Sequence, residues 1–368
     1  MAKKKTKKQV RKTAKKKPSI SKNSADFRSK DNALFVGIDL GTSHASVSAS
    51  NGVREVVPTY VGYPKDNISE ELLGNQPLFG DMALKHRLSV ELIRPLAHGV
   101  IQTNSKEQNN KYLTAAKQLV RHLLGKARPK PDQPVYGVIG APARASITSK
   151  RILIDAARGV LDAVMIVSEP FTVAYGLEIL DQALVIDIGA GTVDLCRLHG
   201  TLPEEEDQIT LDEAGDFVDE KLSEMIRKKY PKAQFTINMI RKLKERHGFV
   251  SESAGRIATK FPVNGRPKEF DITDELRTAC KSIVPGMVDS IAELIATYDP
   301  EFQEAIRSNV ILAGGGSQMN GLSQLIEEAM AELGGGKVTR VDEPLFAGSN
   351  GALKMARQMP RHFWQMLA

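Results

Sequence analysis

Two carboxylates sit at matching points of two matching stretches. In Phe35-Val36-Gly37-Ile38-Asp39-Leu40-Gly41-Thr42-Ser43-His44, a run of β-formers carries an aspartate at its C-terminal edge. The same grammar recurs in Leu184-Val185-Ile186-Asp187-Ile188-Gly189-Ala190-Gly191-Thr192-Val193-Asp194. In both, a glycine turn lets the backbone double back so that its N–H groups face an anion. Thr42, Ser43 and Thr192 add hydroxyl donors. A third junction runs from Asn309-Val310-Ile311-Leu312-Ala313 into Gly314-Gly315-Gly316-Ser317. Any one of these reads as a tight turn. Three together point to a phosphate-rich ligand, and a repeat at roughly 150 residues points to a duplicated fold with two hairpins facing one nucleotide.

Beside a polyphosphate, Asp39 and Asp187 are suited to holding a magnesium ion through water, because magnesium keeps most of its hydration shell. The alternative is a pair of turn-capping aspartates. Glu169 follows a β-branched strand and precedes Pro170. A carboxylate there can orient water for in-line attack on a γ-phosphate, or it is a helix-start acid favoured by the helix dipole. Gly215, Asp219 and Lys244 are candidates for a ribose and adenine pocket, on spacing that proves little by itself. His44 reads as a neighbour of the phosphates. His98 and His199 show no metal-ligand spacing and read as surface or packing residues. The sequence contains neither GxxxxGK[ST] nor a GxGxxG opening a βαβ unit.

The elements that must position these groups alternate along the chain. A β-meander is expected over 33–63, with Asn51-Gly52 as a hairpin turn. Val61 to Asp66 should leave that sheet, and 64–112 read as an inserted subdomain. Leu113, Ala116, Leu119, Val120 and Leu123 recur at helical spacing, which predicts a helix over 112–124. Strands are expected at 135–140 and 164–167, and helices at 149–160 and 171–180, the second started by Pro170. After the second hairpin unit, Glu204-Glu205-Glu206 reads as a solvated turn, and 220–275 as a second insertion. A long helix is expected over 274–297, with Asp274 as its cap. A further helix should run over 322–333. A final helix starts near Phe346, and Trp364 falls in the C-terminal tail.

Composition bounds the class. A hydrophobic content of 41% is ordinary for a soluble chain of 368 residues. The net charge of +7 is uneven: residues 1–30 hold 11 Lys and 2 Arg against Asp26, a net +12, so the remainder carries −5. That arm has few apolar residues and is expected to be disordered. It reads either as an electrostatic contact for an anionic surface, lipid or nucleic acid, or as a solubilising spacer. Cys196 and Cys280 make no disulfide or metal framework, which suits a reduced, intracellular setting. No stretch approaches the roughly 18 apolar residues of a membrane span, and no apolar segment follows the basic arm as in a secretory signal.

In this order, the junctions resemble the nucleotide-site motifs of the actin, Hsp70 and sugar-kinase superfamily. Ile38-Asp39-Leu40-Gly41-Thr42-Ser43 is similar to its first phosphate motif, and Asp187-Ile188-Gly189-Ala190-Gly191-Thr192 to its second. Val167-Ser168-Glu169-Pro170 is similar to the first connecting motif, Ile311 to Ser317 to the adenosine motif, and the helix from Phe346 to the second connection. The resemblance covers roughly 33–358. The chain's length suits a prokaryotic actin. Its segments Val61–Asp66, Val138–Ser146 and Val167–Tyr175 are similar to the magnetosome-filament branch.

The resemblance implies an α/β, actin-like two-lobed ATPase fold: a duplicated ribonuclease-H-like core with an inserted subdomain in each lobe. Its expected divisions are a tail at 1–30, lobe I at 31–180 with an insertion at about 60–112, lobe II at 181–340 with an insertion at about 220–275, and a segment at 341–368 returning to lobe I. It implies ATP or ADP with Mg2+ as cofactors. Gly41, Thr42, Ser43, His44, Gly189, Ala190, Gly191, Thr192, Gly215, Asp219, Lys244, Gly314, Gly315, Gly316, Ser317 and Met319 would bind the nucleotide. Asp39 and Asp187 would hold the metal, and Glu169 and Asp187 would act on the attacking water. Relatives often place an acid three residues before the position of Lys244, where this chain has Arg241. The implied partners are other copies of the chain in a filament and magnetosome-associated proteins, with no small-molecule acceptor. The implied location is a cytoplasmic cytoskeleton at the magnetosome membrane. A plasmid-segregating or cell-shape actin and a sugar- or acetate-type kinase are the competing readings.

Overall fold

The computed structural model describes residues 32–102, 106–252 and 255–367, with no account of the side chains of 106–110. The basic arm lies outside the described residues.

Chain order builds the same sheet twice. In the first half, β1 (Leu34–Leu40), β2 (His44–Ala49) and β3 (Arg54–Pro58) form an antiparallel meander. A small sheet follows, made of β4 (Val61–Pro64), β5 (Leu78–Phe79) and β6 (Val90–Ile93), with α1 (Asn67–Leu73) and α2 (Gly80–Lys85). A hairpin of β7 (Leu96–Ala97) and β8 (Val100–Ile101) leads to α3 (Lys106–Ala127). Then β9 (Val135–Ala141), α4 (Ile147–Ala157) and β10 (Ala163–Ser168) complete a sheet in the order β10-β9-β1-β2-β3. After α5 (Glu169–Leu177), β11 (Asp181–Ile188), β12 (Val193–His199) and β13 (Gln208–Leu211) repeat the meander. Next come α6 (Gly215–Lys229), α7 (Ile237–His247), the hairpin β14 (Ala258–Val263) and β15 (Arg266–Asp271), α8 (Thr273–Lys281), α9 (Val284–Ala296) and α10 (Gln303–Arg307). Separated by α11 (Leu322–Ala329), β16 (Val310–Ala313) and β17 (Val338–Arg340) complete the order β13-β12-β11-β16-β17. The chain ends with α12 (Ala347–Gln358) and α13 (Arg361–Leu367).

The register explains why Asp39 and Asp187 are equivalent. Asp39 stands opposite Ser46 on its antiparallel neighbour and Gly140 on its parallel one. Asp187 stands opposite Asp194 and Ala313 in the same way. In each sheet the direction of pairing switches at the strand carrying the aspartate. The strand order also reverses at that strand, and ligands of open α/β sheets bind at points of reversal, outside the strands' C-terminal ends.

Each half has its own apolar core. One is built around Ile38, Val47, Leu119 and Leu153, the other around Ile186, Val218, Leu276 and Ile291. A third cluster, including Phe35, Tyr136, Phe171, Val185, Ile311, Ala352 and Trp364, joins the two sheets. Helices α5 and α12 cross within it. Their axes approach at Gly351, where an added Cβ would lie 1.7 Å from the Thr172 carbonyl oxygen.

Several local expectations change. The helix expected over 274–297 is two helices, because Pro285 stands in the first turn of α9 and a new helix start is where proline is tolerated. Asp274 lies in the first turn of α8 rather than at its cap, and the Asp271 carboxylate accepts from the Thr273 N–H at 3.1 Å. The helix expected over 322–333 is α11, followed by a 3-10 turn over Met330–Leu333. Val61 to Pro64 leaves the meander but starts a sheet of its own. Trp364 is buried in α13, stacked on Tyr136 with ring centroids 5.3 Å apart. Glu204–Glu206 stays exposed, but it leads into buried Asp207, which pairs with Arg197 at 2.7 Å.

Candidate functional site

A cavity of about 330 Å³ lies where the two sheets face each other. Its floor is made by the two hairpin turns. They touch: a Cβ on Gly191 would fall 2.3 Å from Thr42 Oγ1. The Thr42 hydroxyl oxygen accepts from the Gly99 N–H at 2.8 Å. The second turn is closed by the Gly189 N–H donating to the Thr192 carbonyl at 2.9 Å. Its Gly189 and Ala190 carbonyls are taken by the N–H groups of Gly215 and Asp216 at the start of α6. The third junction crosses the end of β11. Gly314 has φ +72°, and a Cβ there would lie 2.2 Å from Asp187 Oδ1, so only glycine fits.

Three carboxylates converge at the inner end. Asp39 is half-buried, and its desolvation raises its pKa to about 6. Asp187 is held well above the usual carboxylate range by burial and then by the negative charges of Asp39 and Asp194. Glu169 is raised well above its ordinary value by burial first, then by Asp39, Asp194 and Asp187. Its Oε1 is buried with no hydrogen-bond partner. Like charges in one low-dielectric site need a proton or a cation to coexist. The donor set is all carboxylate oxygen, which suits a hard divalent cation. No group of three or more His, Cys, Asp or Glu among the described residues is placed to hold a bare ion. An ion carrying its own waters and phosphate oxygens fits this arrangement; a fully protein-ligated one does not.

Of the residues singled out in the sequence, Asp39, Gly41, Thr42, Ser43, His44, Glu169, Asp187, Gly189, Ala190, Gly191, Thr192, Gly215, Lys244, Gly314, Gly315, Gly316 and Met319 line the cavity. Two do not. The Ser317 hydroxyl is buried and donates to the Gly314 carbonyl at 2.7 Å, so it shapes the turn. Asp219 is fully buried behind the wall, where it pairs with Lys244 at 2.8 Å and with Arg241 at 3.0 Å. It acts by positioning these two cations.

Ser46, Gly99, Arg241, Glu245, Gly248, Gln318, Pro344 and Leu345 complete the lining and were not singled out as ligand groups. One signal for part of this set was present. Arg241, Lys244, Glu245 and Gly248 follow i, i+3, i+4, i+7, which is one helical face. The cavity sees that face of α7 and the residue after it. Glu245 thus supplies an acid to this wall one position after Lys244, while Arg241 occupies the place three before it. Gly99 has no such signal, since only the fold brings the 94–101 segment onto the first turn.

Residues 33–362 match the family described as MreB/Mbl protein. The chain is 38% identical over 336 residues to "Actin-like protein MamK" of Paramagnetospirillum magneticum, covering 91% of this chain and 96% of that one. It is similar to the structure titled "MamK double helical filament" with a TM-score of 0.86 at 38% identity, over 89% of this chain and 100% of that one. A second structure, a non-polymerising mutant of MamK bound to AMPPNP, gives a TM-score of 0.68 at 38% identity, over 89% of this chain and 99% of the other.

Proposed function

The chain belongs to the MreB/Mbl family of actin-like proteins, and from that premise we propose that it is a filament-forming ATPase whose polymer aligns and positions magnetosomes. The observation that carries the reading is the pairing of two glycine turns with three converging, largely desolvated carboxylates around one cavity. The likeness to MamK filaments and to MamK bound to AMPPNP supports polymerisation and the nucleotide.

In this reading the 41–43 and 189–192 turns grip the phosphates through backbone N–H groups and the hydroxyls of Thr42, Ser43 and Thr192. Lys244, Glu245 and Met319 face the nucleoside end. Asp39 and Asp187 would hold hydrated Mg2+, which would neutralise charge on the phosphate oxygens. Glu169 orients the attacking water, and in its ionised form its orphaned Oε1 is the acceptor for that water's proton. Head-to-tail contacts that do not close on themselves give an open filament. Hydrolysis is slow in the monomer and faster in the polymer, where contacts draw the two halves together. The setting is a cytoplasmic cytoskeleton at the magnetosome membrane, with magnetosome-associated proteins as partners and an anionic surface as the partner of the basic arm.

Sedimentation and negative-stain microscopy with and without ATP and Mg2+, on the full chain and on Glu169→Ala, test this. The expected result is filaments with ATP that persist longer in the variant, with phosphate release reduced by about 10²-fold or more. A monomer under all conditions, consuming ATP only when a small hydroxylated acceptor is added, overturns it in favour of a kinase.

A further inference from the structure

Beside the cavity, a chain of side chains joins one half of the molecule to the other. Arg94 lies between β6 and β7, in the first half. Its Nε donates to the Thr42 carbonyl at 2.9 Å, so it holds the first glycine turn from outside. Its two terminal nitrogens reach across to Asp216, Nη1 to Oδ2 at 2.7 Å and Nη2 to Oδ1 at 3.1 Å. Asp216 stands in the first turn of α6, where a carboxylate is favoured by the helix dipole. Arg241 takes the same Asp216 Oδ1 at 3.0 Å and donates back to the Tyr60 hydroxyl of the first half at 2.6 Å. Through Asp219, Arg241 is also joined to Lys244 on the cavity wall.

Neither Arg94 nor Asp216 lines the cavity. Their side chains are 22% and 26% exposed, so the pair is partly shielded from water and geometrically fixed at both ends. A bidentate guanidinium–carboxylate pair of this kind is directional and strong for its class. It also has the right topology for a latch. Parting the Thr42 turn from the Lys244 wall breaks Arg94–Asp216, together with the Arg241–Tyr60 bond.

We propose that Arg94 and Asp216 form a latch that sets how long a nucleotide stays in the cleft. The proposal rests on the nucleotide reading above. Both are positioning residues: Arg94 acts through the Thr42 turn, and Asp216 acts through Arg241 and the α6 terminus. The latch slows release without adding a contact to the ligand. Opening is therefore charge-dependent and faster at high salt, within the limits that partial burial sets.

The test is the release rate of a fluorescent ADP chased with excess ATP, at a protein concentration where light scattering shows no polymer. Arg94→Ala and Asp216→Asn are each expected to release about tenfold faster, which is a change of about 1.4 kcal/mol in the barrier. The double variant should release no faster than the faster of the two single variants, because two residues acting as one pair are not additive. Arg94→Lys keeps the charge but loses the fork. It should also release faster, and it carries the test if Arg94→Ala fails to fold. Equal rates in wild type and variants, or additive effects in the double variant, overturn the latch and leave the nucleotide reading standing. A wild-type chain that binds no nucleotide overturns both.

Discussion

Asp39 is the residue whose environment makes the clearest thermodynamic demand. Its carboxyl, at 3.8 when unperturbed, is raised to about 6 by burial. The folded chain therefore binds this proton more tightly than the unfolded chain does. The stability it contributes is fully present below about pH 4 and is lost as pH rises through about 6. A shift of this size corresponds to about 3 kcal/mol. Asp187 and Glu169 are raised as well, so they act in the same direction. Thermal melts of the nucleotide-free protein are expected to fall in midpoint as pH rises through that window. An amide in place of this carboxyl cannot ionise, so Asp39→Asn is expected to flatten the fall and to melt higher than wild type at neutral pH. The same variant should lose the magnesium dependence of nucleotide binding. A melting profile identical to wild type across pH 4–7 would show that Asp39 is not in a burdened site.

At the scale of elements, the crossing of α5 and α12 decides whether the two sheets stay joined. The contact is backbone on backbone at Gly351 and Gly176, where a Cβ on Gly176 would meet the Gly351 Cα at 2.9 Å. No rotamer change relieves a Cβ placed 1.7 Å from the Thr172 carbonyl, because both partners are main chain. The helices must separate instead. Gly351→Ala is expected to destabilise the chain by about 3 kcal/mol, at the upper end of overpacking effects, read as a lowered denaturant midpoint. An alanine at exposed Gly125 on α3, where an added Cβ meets nothing, should be neutral or slightly stabilising by the same measurement. Equal effects at the two positions would mean the helix crossing is soft.

For the whole molecule, the site and the architecture share their contacts. The first glycine turn belongs to one sheet, the second and third to the other, and the shared apolar cluster links the two. A ligand that grips all three turns binds only the assembled chain. Magnesium and AMPPNP at about 1,000 times their dissociation constant are expected to stabilise it by about 4 kcal/mol. The gain should appear as a raised melting midpoint, and chelation of the magnesium should remove much of it. A midpoint unchanged by nucleotide would argue against a site assembled from both halves.

The sequence by itself determined the repeated unit. Buried strands of β-formers ending in Asp39 and Asp187, each followed by glycine, are local features, and local patterns are what a chain states directly. The same holds for the third junction at Gly314 and for Glu169, the first residue of α5, ahead of Pro170. Tertiary structure decided everything that depends on residues far apart. Gly99 reaches the Thr42 hydroxyl only because the 94–101 segment folds back over the first turn. Asp219 looked like a ligand group but is fully buried, since two cations on α7 enclose it. The Arg94–Asp216 pair spans 122 residues of chain, and no spacing rule connects them. Local periodicity fixes which residues share a strand or a helical face. Which faces then meet is set by the packing of whole elements, and the walls of this cavity come from both halves of the chain.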